Sequence, residues 1–387
     1  MNIHEISQVI RNSKNLAEMI TEFKARNLDP DCYDWAMRSY LDFRAREKAV
    51  PLKGVFELTP RCNLDCRMCY VHLDSRQMEG CSTLSADEWE SIMAQAIDSG
   101  MMFAALTGGE CLVYPEFERL YLYLYNKSVR VSVLTNGVLL NDEKIALFKA
   151  HTPFSIRVTL YGVNEDMYEK VTGRREFARV TENIRRAVEA ELPLKITVTP
   201  NPCLTLEENK ELIRFAASFG VEFQVNSNLI NPRENTGRNG KFSDLSAEEY
   251  MEFFKLEKTL KGELPPSECT SELPETGGKA SDTVPKGLRC GGARSSFNIT
   301  WQGRMIPCNR LTDISAEPLK EGFANSWRKI HSQVMEILLP VECETCAYRH
   351  AARGCAAGHS DAKPGHASPE QCKWCRAMVK HGFASVI

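Results

Sequence analysis

Short apolar runs alternate with longer helical stretches along the chain from Val55 to Leu260. This alternation restricts the fold strongly, because a strand that is followed by a crossover helix returns beside it as a parallel strand. The predicted strands are VFELT, MFAALT, VRVSVLT, FSIRVTL, LKITVTP and VEFQVNSNL, and several of the following helices have a capping residue: Ser85, Asn141 and Thr205. Six such units are too few for a closed eight-fold barrel, so we expect an α/β fold with an open, partial (β/α)6 barrel.

Composition divides the chain into four parts. Residues 1–50 are polar, with apolar residues at helical spacing, which predicts a helical N-terminal segment. The strand–helix units occupy residues 51–261, and residues 262–289 are rich in Pro, Gly, Ser and Thr, which is typical of a linker. In residues 290–387 the strand–helix rhythm stops and cysteine becomes frequent, which indicates a small unit organised by metal.

Charge and hydropathy restrict the location and the partners. The formal net charge is -3, so bulk electrostatics gives no reason to expect nucleic acid or an anionic membrane as a partner. No apolar run reaches the length of a membrane-spanning helix, and the first residues have no secretory apolar segment. We therefore expect a cytoplasmic protein. In that compartment its 15 cysteines indicate metal binding or chemistry rather than disulfides.

The predicted strands all end in polar residues. Hydroxyl, amide, glycine or charged residues follow each one, in the segments TPRCNLDCRMC, TGGE, TNG, TLYG, TPN and NSNLINPR. In parallel α/β folds the loops at the carboxyl ends of the strands converge on one crevice, where reactive groups gather. The pattern predicts an active site at this edge of the sheet.

The first of these segments carries three cysteines, Cys62, Cys66 and Cys69. A structural zinc site usually takes four ligands, so three thiolates leave it incomplete. A four-iron cluster that is held by three cysteines keeps one iron open to a substrate or cofactor. A structural metal site remains the alternative on these residues alone.

The spacing CxxxCxxC after a first strand, with GGE after the second, resembles the radical S-adenosylmethionine (SAM) enzymes over about 200 residues. The resemblance implies that Cys62, Cys66 and Cys69 hold a catalytic [4Fe-4S] cluster whose open iron binds SAM. One electron then cleaves SAM, and the resulting 5'-deoxyadenosyl radical takes a hydrogen atom from the substrate. The same resemblance implies SAM contacts from Met68, Gly108, Gly109, Glu110, Thr135, Asn136, Thr159 and Arg233. Met68 departs from the pattern, because the family often has an aromatic residue there.

The C-terminal cysteines form two CxxC pairs, Cys343 with Cys346 and Cys372 with Cys375, and Cys290 and Cys308 flank a predicted hairpin with Gly303 in its turn. On chemistry alone they suit zinc or iron–sulfur equally. The arrangement resembles the SPASM extension of radical SAM peptide and protein maturases, which carries auxiliary [4Fe-4S] clusters.

The resemblance implies one or two auxiliary clusters. We expect Cys343, Cys346, Cys372 and Cys375 to ligate one of them fully. Cys290, Cys308 and Cys355 would hold the other, with an open iron or a fourth ligand such as Cys269. The match is imperfect, since AYRHAARG follows Cys346 where the pattern has a cysteine.

The expected function is that of a radical SAM oxidoreductase, a maturase that modifies a ribosomally made peptide or a protein by crosslinking, thioether formation, epimerisation or oxidation. The resemblance also implies an electron donor such as flavodoxin or ferredoxin. The alternatives are a sulfatase-type formylglycine maturase, radical oxidation of a small molecule, and a non-catalytic metal protein. Two further residues have open roles. Cys111 is either a hydrogen-atom donor or a core residue, and Tyr161 lines either the substrate cavity or the core.

Overall fold

The computed structural model describes residues 3–29, 32–71, 73, 75–227, 245–263, 285–344, 346–348, 351, 355–359 and 362–383. Arg233, Cys269 and most of the predicted linker lie outside the described residues. No helix in these ranges combines the length and the apolar character that crossing a bilayer requires.

The six predicted strands form one parallel sheet, which confirms the α/β prediction. They are β1 Lys53–Glu57, β2 Phe103–Thr107, β3 Arg130–Thr135, β4 Ser155–Leu160, β5 Leu194–Val198 and β6 Glu222–Val225. Each strand from β2 to β6 pairs in parallel with the strand before it in the chain. All six carboxyl ends therefore lie along the same edge of the sheet.

Two further strands from the cysteine-rich part join this sheet, which the sequence pattern did not predict. They are β7 Ser296–Ile299 and β8 Met305–Ile306, the two arms of the predicted hairpin. β7 pairs in parallel with β1 and antiparallel with β8, so the sheet order is β6-β5-β4-β3-β2-β1-β7-β8. Phe297 on β7 packs edge-on against Phe56 on β1, with ring centroids 5.9 Å apart. The apolar core is thus continuous from one part of the chain to the other.

Helices cover the outer face of the sheet and both flanks. In chain order they are α1 Ile3–Asn12, α2 Leu16–Ala25, α3 Tyr33–Lys48, α4 Ser75–Glu79, α5 Ala86–Asp98, α6 Phe117–Asn126, α7 Asp142–Ala150, α8 Glu165–Thr172, α9 Phe177–Glu189, α10 Leu206–Ala217, α11 Ala247–Leu260, α12 Pro318–Glu321, α13 Phe323–Met335 and α14 Pro369–Lys380. The predicted caps are confirmed: the side chains of Ser85, Asn141 and Thr205 accept from backbone amides in the first turns of α5, α7 and α10.

Helix α8 is an additional element between β4 and α9. Asn164 caps its first turn by accepting from the amide of Met167 at 2.8 Å, and Gly173, with φ +68°, ends it in the left-handed region. Both residues are local signals of a helix start and stop that the sequence prediction did not use. This short helix proves important because its last turn contacts the cysteine loop.

The N-terminal helices lie at the end of the sheet opposite the strand carboxyl ends. Asp42 on α3 pairs at 2.9 Å with Lys53, the first residue of β1, and Asp34 pairs at 3.7 Å with Arg130, the first residue of β3. The amino-terminal ends of these strands are therefore covered by α3. The carboxyl ends, where the polar loops converge, are left for the site.

Candidate active site

Two glycines allow the loop after β2 to lie directly on the cysteine loop. The amide of Gly109 donates to the carbonyl of Thr59 at 2.7 Å, and the amide of Glu110 donates to the carbonyl of Arg61 at 2.9 Å. A Cβ atom at Gly108 would lie 2.4 Å from the Thr59 carbonyl oxygen, and one at Gly109 would lie 2.5 Å from that of Arg61. The absent side chains make room for neighbouring backbone, so they set the position of Cys62 through loop packing.

Glu110 is a buried carboxylate that joins the ends of β2 and β3. Only 1% of it is exposed. It accepts from the Thr135 hydroxyl at 2.8 Å and from the backbone amides of Asn136 and Leu112 at 2.7 and 3.0 Å. Burial raises its pKa, and these three donors oppose that rise by stabilising the ionised form. Its described contacts are neutral groups, and through them the carboxylate links the loop after β2 to the loop after β3.

Asn136 extends this link from Glu110 to the cysteine loop. Its side-chain amide donates to Asn63 at 2.7 Å and lies 3.6 Å from the sulfur of Cys62. Its side-chain oxygen accepts from the amide of Val138 at 3.0 Å, which fixes the side chain in a turn. The end of β3 thus holds the first cysteine in place.

The end of α8 holds the second cysteine. The amides of Asp65 and Arg67 donate to the carbonyls of Thr172 and Val171, at 2.8 and 3.1 Å. These carbonyls belong to the last turn of α8, where helical partners are missing. Cys66 lies between the two anchored residues, so its backbone position is fixed from both sides.

The three thiols of this loop suit a cationic metal group. Cys62 keeps an exposed edge and the other two are half-buried. Desolvation by the surrounding protein is the largest cause that raises the pKa of Cys62 to about 12, and the negative charges of Glu110 and Cys69 raise it further. These effects disfavour the Cys62 thiolate unless positive charge lies beside it, and an iron–sulfur cluster supplies that charge. The donor set fits the cluster that the sequence predicts.

The other residues predicted to contact SAM differ in burial and in whether their polar groups already have hydrogen-bond partners. The hydroxyl of Thr135 is occupied by Glu110 and by the amide of Gly137 at 3.0 Å. Met68, a residue of the loop, is buried. Thr159, at the end of β4, is half-buried, and its hydroxyl has no hydrogen-bond partner within the described part of the chain. Arg233 lies outside the described residues.

The two residues with open roles have different environments. Cys111 is buried, and its sulfur donates to the Leu134 carbonyl at 3.2 Å, which is the arrangement of a packed core thiol. Tyr161 is half-buried at the end of β4, and its phenol interacts electrostatically with Cys66, Cys69 and Cys62. Tyr161 therefore belongs to the surroundings of the cysteine loop.

The C-terminal cysteines fall into two groups. Cys343 interacts with Cys346, Cys372 and Cys375; burial first, and then these neighbours, raises its pKa to about 12. Cys308 interacts instead with Cys290 and Cys355, which add to the effect of burial in raising its pKa. The two groups contain the cysteines that we expected to share each auxiliary cluster, and ligation of clusters by them stays a prediction.

Neither group is arranged as a site for one metal ion. Within the described ranges, no three His, Cys, Asp or Glu side chains converge on a point that would hold a single ion. All of the cysteines in those ranges are free thiols.

Residues that the sequence pattern did not single out complete the surroundings of the site. Asn63 belongs to the cysteine loop, Tyr168 lies near it, and Tyr70 and Asn309 connect it to the C-terminal cysteines. Asn63 and Tyr70 each adjoin a cysteine in sequence, which is a signal that could have found them. Tyr168 had no comparable signal because its helix was not predicted.

Comparison with known proteins gives the same superfamily. Residues 56–216 match the model of the Radical SAM superfamily. The chain is 25% identical over 222 residues to the antilisterial bacteriocin subtilosin biosynthesis protein AlbA of Bacillus subtilis, which is 55% of this chain and 49% of AlbA. It therefore spans about half the length of that relative. It is also 28% identical over 313 residues to an Aeropyrum pernix protein described as "Probable GTP 3',8-cyclase", covering 75% of this chain and 82% of that protein.

The fold is similar to that of SuiB from Streptococcus suis. The crystal structure of SuiB bound to S-adenosylmethionine has a TM-score of 0.65 at 16% identity and covers 92% of this chain and 87% of SuiB. The structure bound to the precursor peptide SuiA has a TM-score of 0.63 at 15% identity, covering 88% and 81% of the two chains. Together with the cysteine loop at the end of β1, the match over β1 to α10 identifies residues 56–216 as a Radical SAM domain, the domain of enzymes that use SAM and a [4Fe-4S] cluster.

Proposed function

We propose that this enzyme is a maturase that removes a hydrogen atom from a peptide or protein substrate, with a ribosomally made peptide as the preferred class. The observation that carries the proposal is the anchoring of the Cys62–Cys69 loop to the ends of β2 and β3 and to α8. Cys62, Cys66 and Cys69 would hold the cluster. When reduced with SAM bound, the cluster supplies a 5'-deoxyadenosyl radical.

The protein residues divide into those that position the loop and those that face the ligand. Glu110, Thr135 and the two glycines, Gly108 and Gly109, position it, since their polar groups or missing side chains are used within the protein. Asn136 also positions the loop, because its side chain is bonded to Asn63 and Val138, whereas Thr159 contributes an unoccupied hydroxyl as a SAM contact. Met68 is buried beside Cys69 and would contribute an apolar contact. Arg233 remains a proposed carboxylate partner.

A peptide substrate agrees with the inner face of the sheet. Along β4, Ile156, Val158 and Leu160 are buried under helices, whereas Arg157 and Thr159 on the other face are exposed or half-buried. An open polar face suits an extended chain that carries amides and charges. Small-molecule pockets are mostly concave and apolar. The similarity to AlbA and to SuiB bound to its precursor peptide supports the same substrate class.

A nucleotide or another small molecule is the second candidate. The similarity to a protein described as a GTP 3',8-cyclase, which extends over 82% of that protein, favours it. The two candidates differ in what accelerates SAM cleavage. A cognate peptide would do so for the first candidate, and GTP for the second.

The test measures 5'-deoxyadenosine after anaerobic reconstitution with iron and sulfide and addition of SAM and dithionite. We expect the wild type to form it and a Cys62→Ala/Cys66→Ala/Cys69→Ala variant to form none while keeping the iron of the C-terminal part. The matched control is Cys32→Ala/Cys81→Ala/Cys203→Ala, which removes three cysteines from other parts of the chain. Equal 5'-deoxyadenosine from both triple variants would reject the assignment of the catalytic loop. A one-electron protein donor, flavodoxin or ferredoxin, can then replace dithionite.

A further inference from the structure

A buried tyrosine hydroxyl near the cysteine loop has no partner. Tyr168 is fully buried on α8, and its hydroxyl oxygen has no hydrogen-bond partner among the described residues. Leaving a buried hydroxyl unpaired costs about 1–3 kcal/mol, so native proteins rarely keep one without a reason. The groups that surround the Tyr168 hydroxyl indicate what its partner is.

The surroundings of Tyr168 point to the cluster. The charged groups that act on its phenol are Cys66, Glu176, Cys62 and Glu110, in decreasing order. The backbone of α8 is joined to the loop on both sides of Cys66, as described above. A Cβ at Gly162 would lie 2.6 Å from the amide of Tyr168, so the chain before α8 packs tightly and limits how far the helix can shift. The helix that carries Tyr168 is therefore anchored against the loop.

A second unpaired donor belongs to the loop itself, on the residue that follows Cys62. Asn63 accepts at its side-chain oxygen from Asn136 at 2.7 Å, but its own side-chain nitrogen is buried and has no partner in the described residues. Its side-chain oxygen lies 3.8 Å from the sulfur of Cys62. Two orphaned donors beside three thiols require acceptors, and the sulfurs of an iron–sulfur cluster are acceptors.

We propose that Tyr168 is a positioning residue that donates a hydrogen bond from its hydroxyl to a sulfur on the Cys66 side of the catalytic cluster, with Asn63 donating on the Cys62 side. This inference rests on the proposed assignment of the cluster to Cys62, Cys66 and Cys69. Phenols are protonated at neutral pH, with an ordinary pKa near 10, and burial raises that of Tyr168 further, so the hydroxyl keeps its proton. Donors to cluster sulfurs stabilise the reduced, more negative state and so raise the reduction potential.

The test compares two buried tyrosines, of which one has a hydrogen-bond partner for its hydroxyl and the other has none among the described residues. Tyr168→Phe removes the orphaned hydroxyl. Tyr121→Phe removes a buried hydroxyl that donates to the His151 carbonyl and serves as the control. The reconstituted full chain is titrated under EPR detection, and the catalytic cluster is identified as the signal that is lost in the variant without Cys62, Cys66 and Cys69.

We expect Tyr168→Phe to lower the equilibrium constant for reduction of this cluster about tenfold, a shift of about 59 mV for one electron. It should also remove one exchangeable proton coupled to the cluster in hydrogen–deuterium EPR comparisons. Tyr121→Phe should change neither. Stability of the cluster-free chain gives the opposite pattern. Tyr168→Phe should be at least as stable as the wild type, because it loses a hydroxyl without a partner, whereas Tyr121→Phe should be less stable. Loss of the cluster from a folded Tyr168→Phe protein would also support the proposal.

An unchanged potential and an unchanged proton coupling in a cluster-loaded Tyr168→Phe protein would overturn the hydrogen bond but leave the proposed function intact. A wild type without a cluster signal from Cys62, Cys66 and Cys69 would overturn both. Marked destabilisation of cluster-free Tyr168→Phe would mean that the hydroxyl has a protein partner, which also contradicts the proposal.

Discussion

The side-chain amide of Asn309 donates a 2.9 Å hydrogen bond to the phenol oxygen of Tyr70. Tyr70 directly follows Cys69 of the cysteine loop, and Asn309 directly follows Cys308 of the C-terminal group. Asn298 on β7 supports the contact by donating to the Asn309 side-chain oxygen at 2.6 Å. One side-chain contact thus links two predicted cluster sites.

Removing this hydrogen bond should make the cysteine loop hold its iron less tightly. We expect Asn309→Ala to accelerate loss of iron from the Cys62–Cys69 site to a chelator about fivefold, since one hydrogen bond is worth about 1 kcal/mol. Tyr70→Phe should have the same effect, and the double variant should be no faster than either single variant because both remove one interaction. Asn325→Ala, on the exposed side of α13, is the control. Equal release rates for Asn309→Ala and this control would show that the link does not hold the loop.

Adding a methyl group at Gly109 should displace the cysteine loop. The new Cβ would lie 2.5 Å from the carbonyl oxygens of both Arg61 and Pro60, and neither backbone group can rotate away. We expect Gly109→Ala to lower the free energy of unfolding by about 1–3 kcal/mol and to reduce iron at the catalytic site. Gly80→Ala is the control, because a Cβ there meets nothing within 4 Å. Urea unfolding and iron analysis check both variants, and identical results would mean that the loop absorbs the methyl group.

The grouping of the C-terminal thiols predicts which double variants are additive. Cys343→Ser should remove one auxiliary cluster, about four irons per chain. Adding Cys372→Ser should remove no more, because the two thiols lie in one group. Adding Cys308→Ser should remove a second cluster. Iron and sulfide per chain are measured for the three proteins. A lower iron content in Cys343→Ser/Cys372→Ser than in Cys343→Ser would contradict the grouping.

The contact between α3 and the sheet should depend on pH through Asp42. Burial raises the pKa of this carboxyl, but hydrogen bonds from Lys53 and Ser295 and the charge of Arg46 outweigh burial and lower it below the usual value of 3.8. A lowered folded-state pKa means that the stabilisation is complete above 3.8 and is lost as the pH falls through the folded value.

We therefore expect Asp42→Asn to be less stable than the wild type by about 1 kcal/mol at pH 7, with a gap that narrows as the pH falls below 3.8. Urea unfolding of the cluster-free chain between pH 7 and pH 3 measures the gap. Asp98→Asn, at the exposed end of α5, should show no such narrowing. A gap that is constant across this range would show that Asp42 acts by packing alone.

The parallel sheet was predictable because its signals are local. Each strand is a short apolar run, each helix has an apolar period, and caps such as Ser85 and Thr205 mark the helix starts. The edge that carries the site followed from the same pattern, because parallel strands end on the same side. The cysteine loop was predictable from its spacing.

The contacts that hold the site were not predictable, because they join distant segments. The pairing of β7 with β1 and the contact of Asn309 with Tyr70 depend on tertiary packing that has no period in the sequence. The role of the two glycines was also hidden. Their sequence shows that a close approach is needed, but only the structure shows that the approaching group is the backbone of the cysteine loop.

The position of β7 beside β1 has a consequence for biosynthesis. With the first six strands alone, β1 would be an edge strand, and its unpaired backbone groups could recruit a strand from another chain. β7 covers that edge but leaves the ribosome long after β1, on the order of 10 s or more at roughly 5–20 residues per second. The strand that leads into the catalytic loop therefore remains open to mispairing through most of synthesis. A chain that stops before β7 would keep this aggregation-prone edge permanently.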